Sequence, residues 1–306
     1  MKSLRKAIRP LLALQMGLLT AAPLHAQLPE RLRDYPLATR GATGEFVAPM
    51  FNGWAANEDG SITMMFGFAN QNREATVDVP LGPNNKLEPA QFQGAQPTHF
   101  PVYSRRGFVG IQERGAFGVT VPADMANIEV VWTLTSGGKT YSVPGRATSP
   151  AYELSAGEAA SGSLKPAIRF TKDGPESVDA VGIHAAPQEV TVGQAITLSA
   201  LIQDRGNRDG YEGVDPYYSL GTAWVLHQGP AEPEIETAEI SGRMRAAENA
   251  GGSENNDWTE VLTQVTFPEP GEYVIRLRAD NFQAPDSKFD NMCCWSNAYF
   301  PVTVNP

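Results

Sequence analysis

The sequence predicts an all-β protein built from antiparallel β-sandwiches. Three observations carry that reading. Apolar residues recur with period two in several short segments, turn signals separate those segments, and no long amphipathic helical pattern occurs. At about 150 residues per domain, 306 residues make two such sandwiches, each large enough to bury its own core.

The first element in chain order is an address. Met1 to Arg9 carries Lys2, Arg5, Lys6 and Arg9 and no acid, Leu11 to Leu19 is apolar, and Thr20 to Ala26 is small-residue-rich. That order marks residues 1–26 as a secretory signal peptide cut after Ala26. Its apolar stretch is shorter than the ~20 residues that cross a bilayer. Its removal leaves 20 basic against 34 acidic residues, moving the net charge from −10 to −14. No later segment reaches the roughly 18 consecutive apolar residues of a spanning helix, so no membrane span is expected in the mature chain. The expected location is an oxidising compartment: periplasm, cell surface or medium. Residues 27–40 follow as an N-terminal arm.

The strands come next. In Ser61–Asn70, Ile62, Met64, Phe66 and Phe68 share one face. In Glu129–Thr135, Val130, Trp132 and Leu134 alternate with Glu129, Thr133 and Thr135. Ala195–Ile202 places Ile196, Leu198, Ala200 and Ile202 on one face; Glu272–Ala279 places Tyr273, Ile275, Leu277 and Ala279 opposite Glu272, Val274, Arg276 and Arg278. Successive strand side chains point to opposite faces, so each pattern fits a half-buried antiparallel strand. Asn57-Glu-Asp-Gly60 is expected to close a hairpin between the Trp54 and Ile62 strands. Ser136-Gly-Gly-Lys139 is expected to join the Trp132 strand to Thr140–Val143. Pro268-Glu-Pro-Gly271 leads into the Tyr273 strand. The Gly/Ser-rich stretch 154–166 separates a sandwich at 41–153 from one at 167–306. Residues 244–257 form a loop inside the second.

Composition excludes several functions. The acidic balance argues against nucleic-acid binding, which needs a basic footprint. Two Cys build neither a disulfide-dense scaffold nor a four-thiolate zinc site. There is no His-Glu-x-x-His pair, no Cys-x-x-Cys, no Gly-x-Ser-x-Gly elbow and no phosphate loop. Paired carboxylates for glycoside hydrolysis are not selectable among so many acids.

Two segments of the second sandwich resemble known modules. "PEPGEYVIRLRADN", Pro268 to Asn281, with "NAYFPVTVNP", Asn297 to Pro306, resembles the last two strands of PKD-like and other immunoglobulin-like bacterial sandwiches. "GVDPYYSLGTAWVLHQGP", Gly213 to Pro230, fits their Trp-bearing middle strand. The resemblance implies an immunoglobulin-like fold and assigns no activity. The first sandwich's "FNGWAANEDGSITMMFGFANQN", "VDVPLGPNN" and "GAQPTHFPVYSRRGFVGI" resemble a group of bacterial secreted proteins of uncharacterised function, which implies export.

Three places are candidate sites. Cys293 and Cys294 are adjacent and precede Trp295. In a regular strand their side chains diverge, so a bond between them requires a distorted loop backbone. Bonded, they make a flat apolar plate beside Trp295 that suits a sugar or planar ligand; unbonded, they are two ordinary small residues, or thiols suited to Cu(I). The second candidate is a calcium site, through Asp204, Asn207, Asp209 and Asp215 in one loop and Asp280, Asp286 and Asp290 in another. The same residues also serve as plain turn formers. The third is Gln96–Arg106, where His99, Tyr103, Arg105 and Arg106 make a polar patch with an anion-binding Arg pair. Alternatively, it is a Pro-bounded connection whose Phe100 and Tyr103 pack on the sandwich.

The functional expectation is an exported, non-catalytic binding or scaffolding protein, with a glycan or a protein as partner. Two further classes stay open: a hydrolase or accessory subunit with carboxylates assembled by the fold, and a surface component that self-assembles through strand edges.

Overall fold

The computed structural model describes residues 40–103, 112–160, 162–207, 220–237, 258–280 and 295–306. The segment expected to be a signal peptide (1–26), nearly all of the expected arm (27–40) and the expected loop at 244–257 lie outside them. Within the described residues the chain is all-β, with helix limited to short 3-10 turns.

The N-terminal sandwich comprises β1 (Val47–Ala56), β2 (Ile62–Asn70), β3 (Val77–Asp78), β4 (Asn85–Glu88), β5 (His99–Phe100), β6 (Gln112–Val121), β7 (Val130–Ser136) and β8 (Lys139–Gly145). One sheet runs β1-β2-β6, the facing sheet runs β4-β7-β8, and β3 pairs with β5 as a short ribbon. Both expected hairpins form: β1–β2 turns at 57–60 and β7–β8 at 137–138. Val47, Phe66 and Phe117 from the first sheet share a core with Leu87, Trp132 and Leu134 from the second. Trp132 sits edge-on to Phe117 at 4.9 Å, and its indole N–H donates to Asn85 Oδ1 at 3.0 Å. That bond satisfies the ring's polar handle inside an apolar core.

The C-terminal sandwich comprises β9 (Ala167–Arg169), β10 (Ile183–His184), β11 (Gln188–Thr191), β12 (Ala195–Gln203), β13 (Gly221–Gln228), β14 (Glu234–Ile235), β15 (Thr259–Thr266), β16 (Gly271–Asp280) and β17 (Trp295–Asn305). One sheet is β14-β15-β12-β9 and the other is β10-β17-β16-β13, with β11 also pairing β17. β10 and β11 run parallel to β17, while the other pairs are antiparallel. This is the strand order of an immunoglobulin sandwich, with Trp224 of β13 fully buried against Phe300 at 5.2 Å. Tyr273, near the start of β16, donates its hydroxyl to the Glu269 carbonyl at 3.0 Å. That is the tyrosine corner of such sandwiches.

Two strands depart from the half-buried expectation. All nine residues of β2 are buried, and β16 buries Arg276, Arg278 and Asp280 as well as its apolar face. The reason is the same for both: the face turned away from its own core is covered by the other sandwich. Met65 of β2 packs with Leu154, Ala180 and Trp295. The 154–166 stretch is correspondingly folded, with Leu154, Ala160 and Ser163 buried and a Gly157–Ser163 bridge.

Candidate functional site

The residues singled out in the sequence scatter. Cys293, Cys294, Arg105, Arg106, Asp209, Asp215, Asp286 and Asp290 lie outside the described residues. Trp295 opens β17 at 1% exposure, its ring inside the seam between the sandwiches rather than on a ligand-facing surface. A Cβ on Gly115 would fall 1.3 Å from its Nε1. Tyr103 is buried beside Phe68, and Phe100 stacks with Trp132, so both rings pack into the N-terminal core. Asp204 accepts from the Gly206 amide at 2.9 Å, as a turn former does. Asp280 is buried and accepts from Arg278 Nε at 2.9 Å. Among the described residues no group of three or more His, Cys, Asp or Glu is placed to hold a metal ion.

The structure instead brings charge together at the seam. Glu113 of β6 has no exposed surface. Its Oε1 accepts from Arg276 Nη2 at 2.7 Å and its Oε2 from Arg278 Nη1 at 2.5 Å. Arg276 Nη1 also donates to the Ala116 carbonyl at 2.6 Å and the Gly115 carbonyl at 3.3 Å. Asp280 on Arg278 adds a second carboxylate to the cluster, and such close charge pairing is what makes buried ions tolerable. Both neighbouring carboxylates raise the pKa of Arg278 against the opposing effect of burial.

Backbone irregularities aim these groups. Phe66 pairs with Phe117 but Phe68 pairs with Glu113, so β6 bulges at residues 114–116. The bulge turns the Gly115 and Ala116 carbonyls outward, and Gly115 sits at φ +59°, a conformation glycine adopts without Cβ strain. A matching bulge at Asn52 in β1 lets that side chain accept the Gly115 amide at 2.9 Å. Asn297 Nδ2 reaches the same Gly115 carbonyl at 2.8 Å from β17.

A second line of seam contacts joins the 94–99 segment to β13. The Thr98 amide donates to the His227 carbonyl at 2.8 Å, and His227 Nε2 donates to the Ala95 carbonyl at 3.0 Å. Gln228 Nε2 donates to the Gly94 and Gln96 carbonyls, both at 2.8 Å. Burial, with Arg276 second, pushes His227 down to about 3. Burial pushes the neighbouring Tyr299 phenol up to about 12. His99 is buried too. Its Nδ1 donates to Asp78 at 2.7 Å, and its Nε2 lies 3.9 Å from Glu232 across the seam.

Beside this line a groove of about 480 Å³ opens between the sandwiches, with Asp78, Pro80 and Leu81 on one wall and Pro230, Pro270 and Glu272 on the other. Three prolines and a leucine give it rigid apolar walls, and two carboxylates stand at its rim. Of the residues chosen in the sequence, His99 alone bears on this region, through Asp78. Glu113, Arg276, Arg278 and His227 were missed as a group. The available signal was opposite charge on one strand face, Arg276-x-Arg278-x-Asp280.

No protein-family model matches the chain, and no curated protein matches it. Among solved structures, domains 4 and 5 of the S-layer protein SbsC align at 13% identity and a TM-score of 0.24, over 59% of this chain and 66% of that one. The D0-D1 domain of intimin aligns at 10% identity and a TM-score of 0.24, over 83% of this chain and 97% of that one. The Yersinia pseudotuberculosis adhesin InvE aligns at 12% identity and a TM-score of 0.21, over 87% of this chain and 60% of that one. This chain therefore spans just under two thirds of the S-layer fragment and three fifths of the InvE chain. The immunoglobulin architecture rests on the strand order and the tyrosine corner described above.

Proposed function

We propose that this is an exported, non-catalytic binding protein whose two sandwiches are fixed to each other so that a ligand groove forms between them. The observation that carries the reading is the groove itself. Its walls come from both sandwiches, and the Glu113–Arg276–Arg278 cluster and the Thr98–His227 contacts hold those walls together. Apolar walls with a few polar groups at the rim are the usual make-up of a binding site. Pre-formed walls spare the ligand the ordering cost that flexible walls would impose. The glycan-or-protein choice of partner stays with this proposal, as do export through residues 1–26 and the division at 154–166.

The test uses defined oligosaccharide and peptide arrays probed with the purified mature chain and with Leu81→Arg. Leu81 is 41% exposed, so the substitution changes the groove wall and not a core. Ligands that bind the wild type and lose about tenfold or more in affinity to the variant, a change of about 1.4 kcal/mol, support the groove. Ligands that bind both equally place recognition elsewhere and overturn it.

A further inference from the structure

We propose that the seam is an acid-opened latch, in which His227 takes up a proton beside Arg276 inside a buried interface and the 94–99 segment is released from β13. The geometry is specific. His227 is 3% exposed and spends its Nε2 proton on the Ala95 carbonyl of the other sandwich. Its Nδ1 has no hydrogen-bond partner among the described residues. As a bare acceptor that nitrogen is tolerated, but once protonated it becomes a buried donor with nothing to accept from it.

The charged and titratable groups around the ring work mostly in one direction. Arg276 of β16 and His184 of β10 both oppose a positive charge on His227. Tyr299 of β17, whose ring centroid lies 5.0 Å away, stays a neutral phenol and supplies no counter-charge. Glu113 of β6 favours the charged form, yet it already accepts from both Arg276 and Arg278. The Ala95 carbonyl favours the charge too, through a bond already formed in the neutral state. Burial is the largest effect and opposes the charge as well. His227 is thus held near 3 in the closed seam and returns toward its ordinary 6.5 when the seam opens and water reaches it.

The sign follows. Between those two values the open seam binds one more proton than the closed one, so the closed state weakens as pH falls from 6.5 toward 3. Thr98 and Gln228 line the groove as well as the latch, so opening the seam also takes the groove apart.

Amide hydrogen exchange on the full mature chain tests this, with protection corrected for intrinsic rates. The Thr98 and Gly229 amides both bond across the seam. Their protection is expected to fall about fiftyfold between about pH 6.5 and about pH 4.5. The amides of β7 and of the β16–β17 ladder are expected to hold. In His227→Gln, whose amide can still donate to Ala95, the seam response is expected to be flat. An unchanged acid response in that variant assigns the opening to another group, such as Glu113, and overturns the proposal. Simultaneous loss of seam and core protection overturns it too, because that is global unfolding. If His227→Gln does not fold, an NMR titration of the wild-type imidazole decides. Proton uptake coinciding with loss of Thr98 protection supports the latch, and uptake with that protection intact overturns it.

Discussion

Glu113 shows how a single residue can hold two cores together. It lies on β6, yet it accepts hydrogen bonds from two arginines of β16, more than 160 residues later. Replacing it by Gln keeps the shape but leaves two buried guanidiniums without a full counter-charge. The expected loss is about 3–5 kcal/mol, read from urea unfolding of the variant against wild type. Gly115 makes the complementary case through shape. A methyl group there would collide with the Trp295 indole, and φ is +59°. Gly115→Ala is expected to cost several kcal/mol (about 1–3 from the strained backbone, more from the collision) by the same measurement. Neither role was legible in the sequence. Arg276 and Arg278 alternate with apolar residues as solvent-facing residues do, and periodicity reports which face of a strand is polar without reporting what covers it.

At the scale of elements, the long strands were legible and the short ones were not. β2, β7, β12 and β16 fall within a residue or two of their predicted bounds, because seven to ten residues give period two room to repeat. β3, β5, β10 and β14 have two residues each and carry no period at all. They are set by tertiary contacts, as when β3 and β5 present Asp78 to His99. The turn from β15 into β16 was predicted from its prolines and glycine, but its fastening was not. Tyr273 bonds back to Glu269 over that turn and packs on Phe267 at 4.7 Å. Tyr273→Phe deletes the bond and keeps the ring. The expected cost is about 1 kcal/mol in chemical denaturation, with the sandwich otherwise intact. Tyr273→Ala, which also empties the corner of the core, is expected to cost about 3–5 kcal/mol.

For the whole molecule the question is whether two cores behave as one. Each sandwich has its own apolar cluster, which alone would allow two independent transitions. The seam argues otherwise. Among the described residues it buries Glu113, Arg276, Arg278 and Asp280 together with His227 and Trp295, and unfolding either sandwich strands the partners left on the other. The half-unfolded state loses those ion pairs and also uncovers the apolar seam residues Met65, Leu154, Ala180 and Trp295 to water, which makes it scarce. Calorimetry of the wild type at neutral pH is therefore expected to show one transition, with calorimetric and van't Hoff enthalpies equal. Glu113→Gln removes the ionic part of the coupling and leaves both apolar clusters in place, so its trace is expected to broaden toward two transitions. Added salt is expected to leave the wild-type transition single, because ions screen exposed charges far better than buried ones. Two transitions already present in the wild type would mean that the sandwiches are merely adjacent. A groove shared between them would then have no fixed walls.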